Sequence, residues 1–296
     1  MTEESPVFVQ FPHPGGEHIP PGDDMPWNIH PHGRKFLVSR GRYIDEDSRA
    51  GSAVLTLWGE WEPPSRVVRR WPKNGRLPRV LHRPYWVRPA KDVFRQNTDP
   101  WIWGERMLYS NCKQIVGPER RPTSMQKLHR GSVLCFGSSI DGEFCIDTVF
   151  VVASYEPWVP AHASQLNVSD AFAVCTGGSI TAGGTDANVD LTLYRGATID
   201  EPVEGMYSFV PARRADSKDS RFARPAIHDL PGLINPASKQ STRGSKRPLP
   251  ASEIRRAWDS VRRQVLEARA VLAVSVDTPP EEDVTGAVPA TRRSRC

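Results

Sequence analysis

RGSVLCFGSSIDGEFCIDTVFVVAS, residues 130–154, decides the fold. Two apolar segments rich in β-branched residues flank one short polar turn, a pattern that predicts a β-hairpin. Val133 to Gly137 gives the first strand and Phe144 to Ala153 the second, with Ser138, Ser139, Asp141 and Gly142 supplying the turn chemistry. Asp141-Gly142 is a favoured hairpin dipeptide. Apart from Asp147 and Thr148, the second strand is apolar at nearly every position, so both its faces must be covered, as in a central strand. A buried Asp147 then requires a partner, because an unpaired carboxylate in an apolar interior is too costly to keep ionised.

Outward from the hairpin, composition agrees with a turn-rich β architecture: 28 prolines and 22 glycines in 296 residues, with a hydrophobic fraction of 38%. That length suffices for one large or two small cores. No apolar run approaches the ~18 residues that span a bilayer, and the acidic opening MTEESP is unlike a signal peptide. A soluble cytoplasmic protein with no membrane partner is expected. The net charge is +5, but residues 236–296 hold 12 Lys/Arg against 7 Asp/Glu, leaving 27 of each in residues 1–235. The body therefore has no global attraction for phosphate, although a local patch remains open. Cys112, Cys135, Cys145, Cys175 and Cys296 are odd in number and form no C-x-x-C pair, which argues against a disulfide framework or a zinc ribbon.

Residues 1–33 read as an irregular arm, since FPHPGGEHIPPGDDMPWNIHPHG breaks regular helix or strand over most of its length. His13, His18, His30 and His32, with Glu17, Asp23 and Asp24, raise the option of a metal site. No pair has the i, i+4 spacing of a helical zinc motif, so solvated or capping roles are preferred and no metal or other cofactor is assigned.

Arg34 to Tyr43 predicts the opening strand and Val54 to Trp61 the second, with Pro63-Pro64 ending it. From Trp58 to Trp103 there are six tryptophans interleaved with arginines at 66, 69, 70, 76, 79, 83, 88 and 95. Such a mixture stacks exposed bases and holds phosphates, or it covers a sheet that no helix covers. The second account is preferred, because a long proline-rich loop needs large side chains to pin it down. Gln96 to Gln114, QNTDPWIWGERMLYSNCKQ, sets polar groups between aromatics as a site-forming loop does: Asn97, Asp99, Glu105, Arg106, Tyr109, Asn111, Cys112, Lys113 and Gln114 all offer hydrogen-bonding groups. Lys113 beside Cys112 would lower a thiol pKa, yet neighbours on a strand point to opposite faces, and an inert thiol is preferred.

Beyond the hairpin, Glu156 to Asp170 is expected to be a loop with a short helical turn. The Gly-Gly pairs at 177 and 183 lack both GxGxxG and a Gly-Lys-Ser/Thr ending, so a flexible hairpin loop is preferred to a phosphate cradle. Val189 to Tyr194 and Met206 to Val210 are expected strands, with Arg195 and Glu204 as site candidates only if that hairpin folds back. RFARPAIHDLPGLINP implies an extended strap. Residues 236–296 divide into a basic linker, an amphipathic helix over Ser252 to Val274 carried by Ile254, Trp258, Val261, Val265 and Leu266, and a disordered end. The helix offers a surface for docking on the body, on a protein partner or near nucleic acid.

The opening strand Lys35 to Tyr43, the polar Asn111-Cys112-Lys113 segment, and GSVLCFGS followed by DTVFVVAS together resemble PUA-like β-barrels of the EVE and ASCH kind and the nucleotide modification-associated domains. The resemblance covers roughly residues 34–155. It departs at Ser132, where those families carry an acidic residue, and in the length of the Trp-rich insertion. It implies a mainly β fold, a partly closed PUA-like barrel over residues 34–155 within a body of 34–235, extended by a β-hairpin over 156–235. It also implies a nucleotide or nucleic-acid partner whose modified or flipped base enters a pocket at the barrel mouth, in a protein linked to DNA modification or phage defence. Trp58, Trp101, Trp103, Tyr109, Asn111 and Lys113 would surround the pocket, with Arg42 and Arg106 near phosphate. The alternatives are an enzyme on the same scaffold, using Glu105, Asp147 or Glu143 with Lys113 as catalytic groups, and a protein-binding accessory with a flat aromatic patch.

Overall fold

The computed structural model describes residues 5–13, 15–29, 32–89, 93–182, 187–228, 230–238, 242–243 and 249–283. The strands of five or more residues are β1 (Phe8–Pro12), β2 (Lys35–Ile44), β3 (Ala50–Gly59), β4 (Ser65–Arg70), β5 (Val80–Pro84), β6 (Val133–Ile140), β7 (Glu143–Trp158), β8 (Leu191–Gly196), β9 (Val210–Arg214) and β10 (Val271–Val276), joined by one long helix, α1 (Ala251–Glu267).

β6 and β7 are the expected hairpin, but longer. The first strand continues through Ser138 and Ser139, and the turn is Asp141-Gly142 alone, with φ of 49° and 81°. Two left-handed residues in succession make the tight turn whose twist matches the strands it joins. β1 lies parallel to β6 and β8 antiparallel to β7, giving the order β1-β6-β7-β8. Within the hairpin the register jumps: Phe136 faces Thr148 and Gly137 faces Ile146, so Asp147 is an unpaired bulge residue. A Cβ on Gly137 would meet the Cys145 carbonyl oxygen at 2.4 Å, so the crossing at the bulge needs glycine. The bulge reverses the parity of β7. Phe144 and Ile146 before it, and Val149 and Val151 after it, face the same core.

The second sheet contains a closed four-stranded antiparallel barrel. β2 pairs with β3, β3 with β9, β9 with β10, and β10 returns to the C-terminal half of β2. Closure brings the chains together at Gly41, where a Cβ would lie 2.4 Å from the Ser275 carbonyl oxygen. The N-terminal half of β2 pairs instead with β5, which carries β4. One core fills the space between barrel and β6-β7 sheet, from Leu37, Leu57, Trp61, Trp101, Phe136 and Phe150 among others. A second lies on the opposite face, where Val149 and Val151 meet Ile254, Trp258, Val261 and Val265 of α1. Both faces of β7 are thus covered, as its apolar run requires, and each such buried side chain contributes about 1.5–3 kcal/mol.

Three expectations are corrected. Residues 8–12 of the irregular arm are a core strand, because FVQFP supplies a fully buried apolar edge for β6. The helix expected to reach Val274 stops at Glu267; Arg269 takes a left-handed φ of 59°, and Val271–Val276 becomes the strand that closes the barrel. Its β-branched residues satisfy the open edges of β2 and β9, so the body runs past residue 235. Gly177 and Gly178 lie in a helical segment, Ala173–Gly178, not in a hairpin loop. A Cβ on Gly177 would come within 2.4 Å of the Ala163 Cβ, so close packing accounts for that glycine. The pair at 183, His30, Cys296 and most of the expected linker and tail lie outside the described residues. No described helix is long and apolar enough to cross a membrane.

Candidate functional site

The ends of β1, β2 and β3 and the bulge of β7 meet at a buried ionic centre. Arg34, immediately before β2, is fully buried. Its Nε donates to Asp147 Oδ2 at 2.8 Å, its Nη1 to Glu60 Oε2 at 2.6 Å, and its Nη2 to His13 Nδ1. Burial alone would lower the guanidinium pKa, but Asp147 and Glu60 raise it above its ordinary value. His13 Nδ1 also lies 3.1 Å from Glu60 Oε2, and burial and then Arg34 push the His13 pKa down. Burial pushes Glu60 up, yet Arg34 and then His13 outweigh it and hold the carboxyl down at about 2. Asp147 thus has the partner its position demands, and the bulge is what turns it towards Arg34. Arg224 approaches Asp147 from the other side at 3.7 Å.

Two further carboxylates flank this centre. Glu62 is fully buried; its side chain accepts from Asn28 Nδ2 and faces His32 Nδ1 at 3.2 Å, and its amide donates to Thr98 Oγ1 at 3.1 Å. Asp99, also fully buried, accepts from the amides of Ser110, Asn111 and Cys112 at 2.9, 3.0 and 2.6 Å. Despite those three donors, burial pushes Asp99 up to about 6, with Glu60 adding to the rise. One donor atom each from His32, Glu60 and Glu62 lie within 4.8 Å of one another, the arrangement among the described residues that could hold a metal ion.

The residues expected around a base pocket are scattered. Trp101 and Trp103 are each 1% exposed and pack on Trp61 with ring centroids 5.9 and 5.2 Å apart. Tyr109 is buried, stacks on Tyr194 at 5.5 Å and donates to the Cys112 carbonyl at 2.7 Å. These rings are core, so they present no face to a base. Asn111 is spent on Asp99 and Ser110. Lys113 donates to the Pro12 carbonyl at 2.7 Å and lies over the Phe11 ring. Arg42 pairs with Asp200 on the surface, Arg106 binds Glu201 and the Gly196 carbonyl, and Glu105 is exposed. Arg195 is held by Glu156, and Glu143 pairs with Arg76. Burial and the Asp99 carboxylate push the Cys112 thiol well up, the opposite of activation. Of the candidate catalytic groups, only Asp147 belongs to the ionic centre.

Trp58 alone of the expected aromatics borders open space. A cavity of about 260 Å³ is lined by Trp58, Lys73, Arg76, Arg79, Cys145 and Arg224, among others. The Trp58 Nε1 donates to the Phe222 carbonyl at 2.9 Å, and the Arg224 guanidinium covers its ring at 5.1 Å. Arg224 also donates to Ser138 Oγ at 2.9 Å and to the Gly15 carbonyl, and so joins this cavity to Asp147. Burial lowers its pKa to about 10, which leaves it charged at neutral pH.

Glu60, Glu62, Arg34 and Arg224 were not legible as site residues. The available signal was the period-two run Leu57 to Glu62, which puts Trp58, Glu60 and Glu62 on one side of the extended chain and Leu57 and Trp61 on the other. α1 spends its apolar stripe on the body, through Ile254, Ala257, Trp258, Val261 and Val265, and does not hold it out for a protein partner. Comparison with known proteins returned no matching family model, no matching curated protein and no matching solved structure.

Proposed function

We propose that this protein binds a nucleotide, or a phosphate-bearing base within a nucleic acid, in the cavity beside Trp58. The observation that supports this reading is the lining: one indole with Lys73, Arg76, Arg79 and Arg224 around about 260 Å³ of space. An aromatic base stacks on an indole or a guanidinium plane, and cations at fixed positions hold its phosphate. Asp141 and Glu143 already tie Arg76, and Glu17, which also lines the cavity, lies beside Arg79; Lys73 and Arg79, both exposed, are the groups best placed to take phosphate. A concave cavity lined by cations, with Trp61, Trp101 and Trp103 in the interior, favours a ligand pocket over a flat aromatic interface. The resemblance of the sequence motifs to those of PUA-like barrels supports a modified base as the ligand, in a protein linked to DNA modification or phage defence.

The test is calorimetric titration with nucleoside monophosphates and with short modified and unmodified oligonucleotides. A selective ligand is expected, bound at least about tenfold more weakly by the Lys73→Ala/Arg79→Ala double variant, whose exposed positions spare the fold. Wild-type protein that binds none of the panel, or a double variant that binds as well as wild type, removes the reading.

A further inference from the structure

The ionic centre gathers four carboxylates in the interior of the protein. Glu60, Glu62, Asp99 and Asp147 are all nearly or fully buried. Facing them are Arg34 and Arg224, and the buried Lys35, which lies near Glu62 and donates to the Pro63 carbonyl at 3.2 Å. Buried carboxylates that lack cations are paired, protonated or bound to metal.

The spare oxygens are gathered in one place. Glu60 gives Oε2 to Arg34, and among the described residues its Oε1 meets the Asp99 amide alone, at 3.3 Å. Glu62 gives Oε2 to Asn28, and its Oε1 faces the His32 ring at 3.2 Å. Ligands bonded at about 2.0–2.2 Å to a common ion sit about 3–4.4 Å apart, so donors within 4.8 Å need only a small adjustment. The His32 side chain is 41% exposed, whereas the two carboxylates are buried, so the set is walled by protein on one side and open to solvent on the other. One residue from Thr98, the Oδ1 of Asn97 is buried with no hydrogen-bond partner among the described residues.

We infer that His32, Glu60 and Glu62 bind one first-row divalent metal ion, leaving a coordination position open towards solvent for water or a substrate oxygen. One imidazole with two carboxylates suits manganese, iron, cobalt or zinc rather than an all-oxygen calcium site. Three protein ligands with an open position is the arrangement of a site that activates water, as opposed to a closed structural one. Of the histidine and acidic residues that marked residues 13–32, His32 is the one that joins; the carboxylates come from the segment after β3. None of the three residues lines the Trp58 cavity, so the two assignments stand or fall separately.

The full chain, stripped with chelator, is titrated with Mn²⁺ and with Zn²⁺ by equilibrium dialysis and metal analysis, with thermal unfolding in parallel. One ion per chain and a raised unfolding temperature are expected for wild type. His32→Ala, with its fold in chelator checked by circular dichroism because Glu62 loses its partner, should bind at least about tenfold more weakly. Glu62→Gln should weaken binding as much, which a surface imidazole alone would not predict. Absence of binding by wild type overturns the inference. So does undiminished binding by His32→Ala, or loss of the same size in His18→Ala, which would move the ion to the neighbouring imidazoles.

Discussion

The two sides of residues 57–62 make opposite contributions. Leu57 and Trp61 join the core between barrel and sheet, where Trp61 meets Trp101 and Trp103. Glu60 and Glu62, on the other side, enter a centre where Glu60 accepts from Arg34 and Glu62 from Asn28. Burial on the apolar side is non-directional and scales with area. On the polar side it is tolerable only because the partners are in place, so removing one leaves the rest stranded. Trp61→Ala and Arg34→Met should therefore cost similar amounts for different reasons, each about 3–5 kcal/mol.

Acid separates them. Glu60 is held at about 2 in the folded state against an ordinary 4.5, so its contribution is complete above pH 4.5 and is lost as pH falls towards 2. The Arg34→Met deficit should be largest near neutrality and shrink at pH 3, while the Trp61→Ala deficit stays constant. Urea midpoints for both variants at pH 7 and pH 3 decide this, and an Arg34→Met deficit independent of pH would break the contrast.

Asp99 sharpens the same comparison with the opposite sign. Its carboxyl rises from 3.8 to about 6 on folding, so the folded state holds its proton longer than the unfolded chain does. Stability should fall as pH rises from about 4 to 6, by on the order of 2–3 kcal/mol, and that slope should be absent in Asp99→Asn. Parallel slopes in the two proteins would show that the three amide donors outweigh burial. The smallest effect belongs to the surface: Arg42→Ala breaks an ion pair whose members are 51% and 67% exposed, and its unfolding midpoint should match wild type within error at moderate salt.

The aromatic-rich insertion shows how far local pattern carries. Interleaved tryptophan and arginine are compatible with base stacking or with covering a sheet, and what the fold displays is packing of the second kind. Arg69 and Arg221 lie over Trp71, Arg88 over Trp86 and Arg224 over Trp58, while Trp61, Trp101 and Trp103 are interior. Composition does not distinguish a ring that stacks on a neighbouring arginine from one reserved for a ligand, since both have the same neighbours in sequence.

The sequence by itself determined the β6-β7 hairpin, the opening strands β2 and β3, the amphipathic start of α1 and the need for a partner at Asp147, because turn residues, alternation and helical spacing act over a few residues. Tertiary structure decided everything that depends on what lies across the gap. Arg34 reaches Asp147 over 113 positions. β10 is a strand because two barrel edges await it, and FVQFP is one because β6 offers an edge. The ionic centre assembles from residues 13, 32, 34, 60, 62, 99 and 147, which no single motif brings together. Periodicity tells which side of the chain a carboxylate occupies; only the fold tells which cation it will find there.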